Sequence, residues 1–213
     1  MRVAITGGTG VLGQGIASAL TSAGHAVFAS AARAGEQSAP GVAVSVVDLR
    51  DLAAVQGWLA EIGPIDALVC AAGGFSMQPL ADFTEADYAF LMDINVRTAA
   101  NALRVFLPAL PAGGSVVLIG AQSWPGAAGV GLYAASKAAV VSLGRTAALE
   151  GRARGVRVNT LLPDIIDTPA NRRAMPDADF GRWQTPAEVA AVVSFLCSPA
   201  AAVVSGNAIA LGR

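Results

Sequence analysis

The sequence predicts an α/β fold, a doubly wound, parallel seven-stranded sheet with helices on both faces in a single domain. Three observations predict it. Short β-rich runs alternate with helical patterns along the chain, the order expected of right-handed βαβ crossovers. Hydrophobic residues make up 54% and charged residues 14%, which suits central strands covered on both faces. A glycine-rich turn stands between the first strand and the first helix. The 213 residues fit one domain spanning 1–213.

Each element follows from its own residues. The predicted strands are Arg2 to Thr6, Ala26 to Ser30, Val42 to Val47, Ala67 to Ala71, Ser115 to Ile119, Val156 to Leu161 and Ala208 to Leu211, all short and rich in Val, Ile and Ala. Between them the spacing predicts helices over Val11 to Ala23, Leu52 to Ile62, Glu85 to Leu107, Leu132 to Arg154 and Pro186 to Cys197. Thr185, Pro186 and Glu188 read as an N-cap, an N1 proline and a first-turn acid. Ala32 to Pro40 and the stretch at about 170–183 read as loops, the second as a short substrate lid.

Composition excludes several function classes. A net charge of -1 with scattered arginines leaves no basic stripe to neutralise a phosphate backbone, so no nucleic-acid partner is expected. Val105 to Ser136 and Val189 to Gly212 are uncharged, yet prolines and glycines interrupt both, so no membrane span is expected. The apolar run after Arg2 is too short for a signal-peptide core. Cys70, Cys197 and the single histidine, His25, do not make a zinc site. The expectation is a reduced, cytoplasmic, metal-free protein, and the lone histidine argues against a Ser-His-Asp hydrolase.

Thr6 to Gly13 reads TGGTGVLG. Glycines at a strand-to-helix turn let the backbone approach a pyrophosphate and present helix N-terminal amides to it. The second strand ends in SAAR with no acid for the adenosine ribose hydroxyls. Arg33 is instead placed to hold a 2′-phosphate, so NADP is preferred over NAD.

Tyr133 and Lys137 stand four apart at the start of a helix, hence on one face. The chain has thirteen arginines and one lysine, so this site asks for an ammonium where a guanidinium serves elsewhere. A phenol with a reference pKa of about 10 is a weak acid/base at neutral pH, and a nearby cation favours its ionised form. A compact ammonium does this while also donating to ribose hydroxyls.

At these residues the chain resembles the short-chain dehydrogenase/reductase family over nearly its whole length. TGGTGVLG resembles the family's glycine motif, in the spacing of its extended branch, and the rest resembles the classical branch. Asp48 in VVDLRD resembles the adenine-side acid, CAAGG at Cys70 to Gly74 stands at the family's NNAG, and Asn95 in MDINV resembles the proton-relay asparagine. YAASK at Tyr133 to Lys137 resembles the catalytic motif, and VRVNTLLPDIIDTP at Val156 to Pro169 the segment closing on the nicotinamide. The resemblance implies a cofactor site made by Gly7, Thr9, Gly10, Leu12, Gly13, Arg33, Asp48, Leu49, Ala72, Gly73, Tyr133, Lys137, Pro163, Ile165, Ile166 and Thr168. Two departures stand out. Cys70 and Ala71 replace an asparagine, and Gly120 and Ala121 stand where the catalytic serine is usual, so either Ser123 or Gln122 supplies the carbonyl-polarising hydrogen bond or the enzyme works without that donor.

The expected reaction is hydride transfer between the nicotinamide and a carbonyl, alcohol or C=N carbon. Tyr133 donates the proton, Lys137 lowers the tyrosine pKa and binds the nicotinamide ribose, and Asn95 holds a relay water. Phe75, Met77, Gln122, Trp124 and Met175 to Trp183 are expected to line an apolar pocket for a small-molecule substrate. GAQSW and Asp167 to Trp183 are similar to quinonoid dihydropteridine reductases, which also lack the serine, so pteridine reduction is an alternative. The rival class is a dinucleotide-binding sensor or scaffold protein without turnover. The long helices are expected to pair with copies of themselves in a homodimer or homotetramer.

Overall fold

The computed structural model describes residues 1–212, so Arg213 of the expected 1–213 span lies outside the described residues. Seven strands, β1 (Arg2–Thr6), β2 (Ala26–Ala31), β3 (Ala43–Val46), β4 (Ala67–Cys70), β5 (Ser115–Ile119), β6 (Arg157–Leu162) and β7 (Ala208–Ala210), form one parallel sheet in the order β3-β2-β1-β4-β5-β6-β7. The helices are α1 (Val11–Ser22), α2 (Leu52–Ile62), α3 (Glu85–Leu91), α4 (Thr98–Ala109), α5 (Gly131–Gly151), α6 (Pro169–Ala174) and α7 (Pro186–Cys197).

The apolar strands read as continuous runs because both faces are buried. On β4, Leu68 and Cys70 join Trp58 of α2 and Phe106 of α4 in one core, while Ala67 and Val69 join Ile16 of α1 and Val193 of α7 in the other. β5 alternates likewise, Val116 and Leu118 facing the first core and Val117 and Ile119 the second. The edge strand β3 is largely exposed and correspondingly short. Because β2 and β3 lie on one side of β1 and β4 to β7 on the other, the strand order reverses at β1/β4. A crevice opens beyond the carboxyl ends of those strands, as such a switch point requires.

Two expected elements differ in kind. The helix predicted over Glu85 to Leu107 is α3, a π-helical turn at Met92–Arg97, and α4. The wide turn carries Asn95 inward, where its side chain bonds the Gly74 backbone instead of facing a neighbouring helical turn. The predicted lid contains α6 and a 3₁₀ turn at Phe180–Arg182. Thr168 caps α6 by accepting from Asn171 N–H at 3.1 Å. The expected capping of α7 is present: Thr185 Oγ1 accepts from Glu188 N–H at 3.2 Å and Thr185 N–H donates to the Glu188 carboxylate at 2.7 Å.

Among the described residues no helix is long and apolar enough to cross a membrane. Nor do the described residues contain a cluster of three or more His, Cys, Asp or Glu side chains able to hold a metal ion.

Candidate active site

The glycine turn is built for close backbone approach. A Cβ on Gly7 (φ +66°) would sit 2.7 Å from Ala72 Cα, and one on Gly13 would sit 2.2 Å from the Gly7 carbonyl oxygen. Gly7 N–H is held by Ser30 Oγ at 3.0 Å. Gly10, the N-cap of α1, offers no side-chain cap, so nothing from that position covers the first helical amides.

A cavity of about 770 Å³ opens at this turn. It gathers Gly7, Thr9, Gly10, Arg33, Asp48, Leu49, Ala72 and Gly73 of the expected cofactor residues. Leu12 and Gly13 lie behind it in α1, where Gly13 is buried. Four others organise the chain after β6. The Pro163 carbonyl accepts from Gln122 N–H at 3.0 Å, the Ile165 carbonyl from Gln184 N–H at 3.0 Å, the Ile166 carbonyl from Asn171 Nδ2 at 2.7 Å, and Thr168 caps α6.

The cavity is also lined by three charged residues that sequence reasoning missed, Glu36, Arg50 and Asp93. Arg50 holds Asp48 through paired contacts at 2.9 Å, and this bond keeps the Asp48 carboxyl below its ordinary pKa. The expected absence of an acid is correct for the end of β2 and incorrect for the space in front of it. Glu36, five residues beyond Ala31, folds back so that its carboxylate accepts from Thr9 Oγ1 at 2.8 Å and Ala32 N–H at 3.1 Å. Only the SAAR segment lay at the position where a ribose-binding acid is sought, and a returning loop has no local signature.

The tyrosine-lysine pair stands on α5, outside the lining of that cavity. Lys137 is 5% exposed and donates to the Ile119 carbonyl at 3.0 Å, while its ammonium lies 5.8 Å from the Tyr133 ring centroid. Gly73 joins the two ends of the site, since a Cβ there would meet Lys137 Nζ at 3.2 Å and Asn95 Oδ1 at 2.8 Å. Burial pulls Lys137 down to about 8 and pushes Tyr133 up to about 12. In the protein without dinucleotide, loss of solvation sets the direction of both groups.

Asn95 is 1% exposed. Its Nδ2 donates to the Gly74 carbonyl and to Ser136 Oγ, each at 3.0 Å, its Oδ1 accepts from Gly74 N–H at 2.9 Å, and Ser136 Oγ donates to the Tyr133 carbonyl at 2.7 Å. The side chain thus braces the loop after β4 against α5, with both amide hydrogens committed to protein atoms.

The replacement donors fare differently. The Gln122 amide donates to the Leu211 carbonyl of the C-terminal segment. Ser123 is half-buried in a turn closed by Gly126 N–H on its own carbonyl at 2.9 Å. Beside the tyrosine, Phe75 packs edge-on at 4.9 Å between ring centroids and remains 56% exposed.

Known proteins are similar to this chain over nearly its whole length. A family profile described as Enoyl-(Acyl carrier protein) reductase matches residues 9–211. A tropinone reductase homolog of Arabidopsis thaliana is 31% identical, covering 98% of this chain and 88% of its own. A solved short chain dehydrogenase/reductase family protein is 32% identical with a TM-score of 0.92, covering 99% of this chain and 95% of its own. A blue fluorescent protein from a metagenomic library, solved in complex with NADPH, is 28% identical with a TM-score of 0.86, over 99% of this chain and 96% of its own. With the profile spanning nearly the whole chain and relatives this similar over nearly all of it, the protein belongs to the short-chain dehydrogenase/reductase family and is an oxidoreductase.

Proposed function

We propose that this oxidoreductase transfers hydride between NADP(H), or less readily NAD(H), and a carbonyl, alcohol or C=N substrate, with Tyr133 as the general acid/base. The observation that carries the reading is that the buried Lys137, on α5 with the half-buried Tyr133, lies against Gly73, a residue that also lines the cavity at the glycine turn. The donor set fits a dinucleotide: Gly7 and Gly13 leave no room for a Cβ and keep the backbone close, Gly10 leaves the α1 N-terminus uncapped by a side chain, and Arg33 stands at the adenosine end. NADPH in the related metagenomic protein supports the same assignment.

When bound, the dinucleotide supplies the hydride. Tyr133 then gives its phenolic proton to the substrate oxygen or nitrogen. With its pKa near 12, it holds that proton across the working range. Lys137, near 8, is mostly an ammonium at neutral pH and favours the phenolate once the proton has left. Asn95 and Ser136 fix the α5 backbone at Tyr133. Phe75 and Met77, both exposed, offer apolar surface to a small flat or aromatic substrate. A homodimer or homotetramer is expected through α4 and α5, whose shared groove is lined by Leu103, Leu107 and Leu143 and flanked by the 72% exposed Leu149.

The test is NADPH oxidation by the purified protein against ketones, quinones and quinonoid dihydropterin. Turnover of a ketone or quinone, lost in Tyr133→Phe, is the expected result, and selective turnover of the pterin would move the reading to the dihydropteridine-reductase alternative. Tight dinucleotide binding with no turnover of any of them would favour the sensor or scaffold reading.

A further inference from the structure

The loop between β2 and β3 is clasped onto the glycine turn by side chains. Glu36 accepts from Thr9 Oγ1 at 2.8 Å, Gln14 Nε2 donates to the Thr9 carbonyl at 2.7 Å and the Gln37 carbonyl at 3.3 Å, and Ser38 Oγ donates to the Gly8 carbonyl at 2.7 Å. The Gln14 and Ser38 contacts are neutral and lie to one side. The Glu36 contact places a full negative charge inside the cavity, where its carboxylate takes the Thr9 hydroxyl and the Ala32 N–H as donors, with the Arg33 guanidinium nearby. These are the donors an anion at the adenosine end would use, and a carboxylate and a phosphate monoester ask for the same kind of partners.

We propose that Glu36 is an internal competitor for the 2′-phosphate of the dinucleotide, a specificity-determining residue that sets back NADP(H) affinity and leaves NAD(H) affinity little changed. The inference rests on the dinucleotide reading above. A ligand with a 2′-phosphate must displace the carboxylate from Thr9 and Ala32 or lie beside it as a like charge. One with a 2′-hydroxyl can leave it in place and donate to it. Arg33 and Glu36 therefore pull in opposite directions, and the chain's preference for a 2′-phosphate is narrower than Arg33 alone would make it. The Thr9 bond holds the Glu36 carboxyl below its ordinary range, so the competitor stays charged at neutral pH.

The discriminating variant is Glu36→Gln, which keeps an oxygen acceptor for Thr9 and Ala32 and removes only the charge. Binding of 2′,5′-ADP and of 5′-ADP to the full chain is measured by isothermal titration calorimetry, with no substrate or turnover involved. Glu36→Gln is expected to bind 2′,5′-ADP about tenfold tighter, equivalent to about 1.4 kcal/mol, and 5′-ADP within about twofold of the unchanged protein. Glu36→Ala, which also frees the two donors, should show at least the same selectivity for the 2′-phosphate. Equal changes for both ligands would make Glu36 a loop brace and overturn the proposal, as would no change or a loss for 2′,5′-ADP in both variants. If neither ligand binds the unchanged protein or the variants, the dinucleotide reading itself fails, a result separate from loss of selectivity.

Discussion

Replacing Lys137 by methionine should stabilise the free protein at neutral pH while removing its activity. The ammonium is buried, and its contact is the Ile119 carbonyl at 3.0 Å. Desolvation lowers its pKa from 10.5 to about 8, which corresponds to roughly 3 kcal/mol at 1.36 kcal/mol for each tenfold change in proton affinity. Below pH 8 the folded and unfolded chains both carry the proton, and the cost of the buried charge is present in full. Between about 8 and 10.5 the folded chain has lost the proton and the unfolded chain keeps it, so stability rises with pH and the cost disappears. Methionine fills a similar length without charge but gives up the bond to Ile119, at about 1–2 kcal/mol. The net gain near pH 7 is about 1–2 kcal/mol, or roughly 2–8 °C in Tm for a chain of this size. At pH 9.5 the remaining cost is roughly 1 kcal/mol, comparable to the lost hydrogen bond, and the two melting temperatures converge. Thermal denaturation followed by circular dichroism at pH 7 and 9.5, without dinucleotide, measures both. A lower Tm for Lys137→Met at pH 7, or a gain of equal size at both pH values, would refute the assignment of a costly buried ammonium.

The same site sets the pH profile of catalysis. Reductive kcat/KM should hold level up to about pH 8 and fall above it as Lys137 loses its proton, with Tyr133 still protonated; a profile flat to pH 10 would contradict this. Lys137→Arg should lose kcat and NADPH affinity together, each by about tenfold or more, because Gly73 crowds the ammonium and a guanidinium is larger and planar. Tyr133→Phe should instead lose turnover while its NADPH dissociation constant, read by fluorescence titration, stays within about twofold. Arg33→Ala is expected to weaken NADPH by about tenfold and spare NADH, and tighter NADH than NADPH binding by the unchanged protein would sink that reading. Ser123→Ala should cost far less than the roughly hundredfold typical of a lost transition-state donor; a loss of that size in steady-state kcat with the fold intact would return Ser123 to the serine's usual role.

Much of the architecture was legible because it is written in short-range chemistry. Continuous apolar runs such as Leu68 to Cys70 and Val116 to Ile119 mark strands buried on both sides, and β1, β5, α2 and α7 lie where the residues place them. Thr185 and Glu188 announce the start of α7 as N-cap and first-turn acid, and the structure joins the two in a reciprocal cap. The glycine turn and the pairing of the lone lysine with Tyr133 were visible too, since both are set by spacing along a few residues.

What only the tertiary structure decided depends on chain segments far apart in sequence. Glu36 enters the cavity at the glycine turn because the loop after β2 turns back onto Thr9, 27 residues away. The π-helical turn at Asn95 exists because its side chain bonds Gly74 and Ser136, 21 and 41 residues away, and a helical pattern read along one strand of sequence does not report such partners. The direction of the Tyr133 and Lys137 pKa values also belongs to the fold: sequence places a cation beside a phenol, but burial by β5 and the loop after β4 determines that solvation loss outweighs their attraction in the free protein.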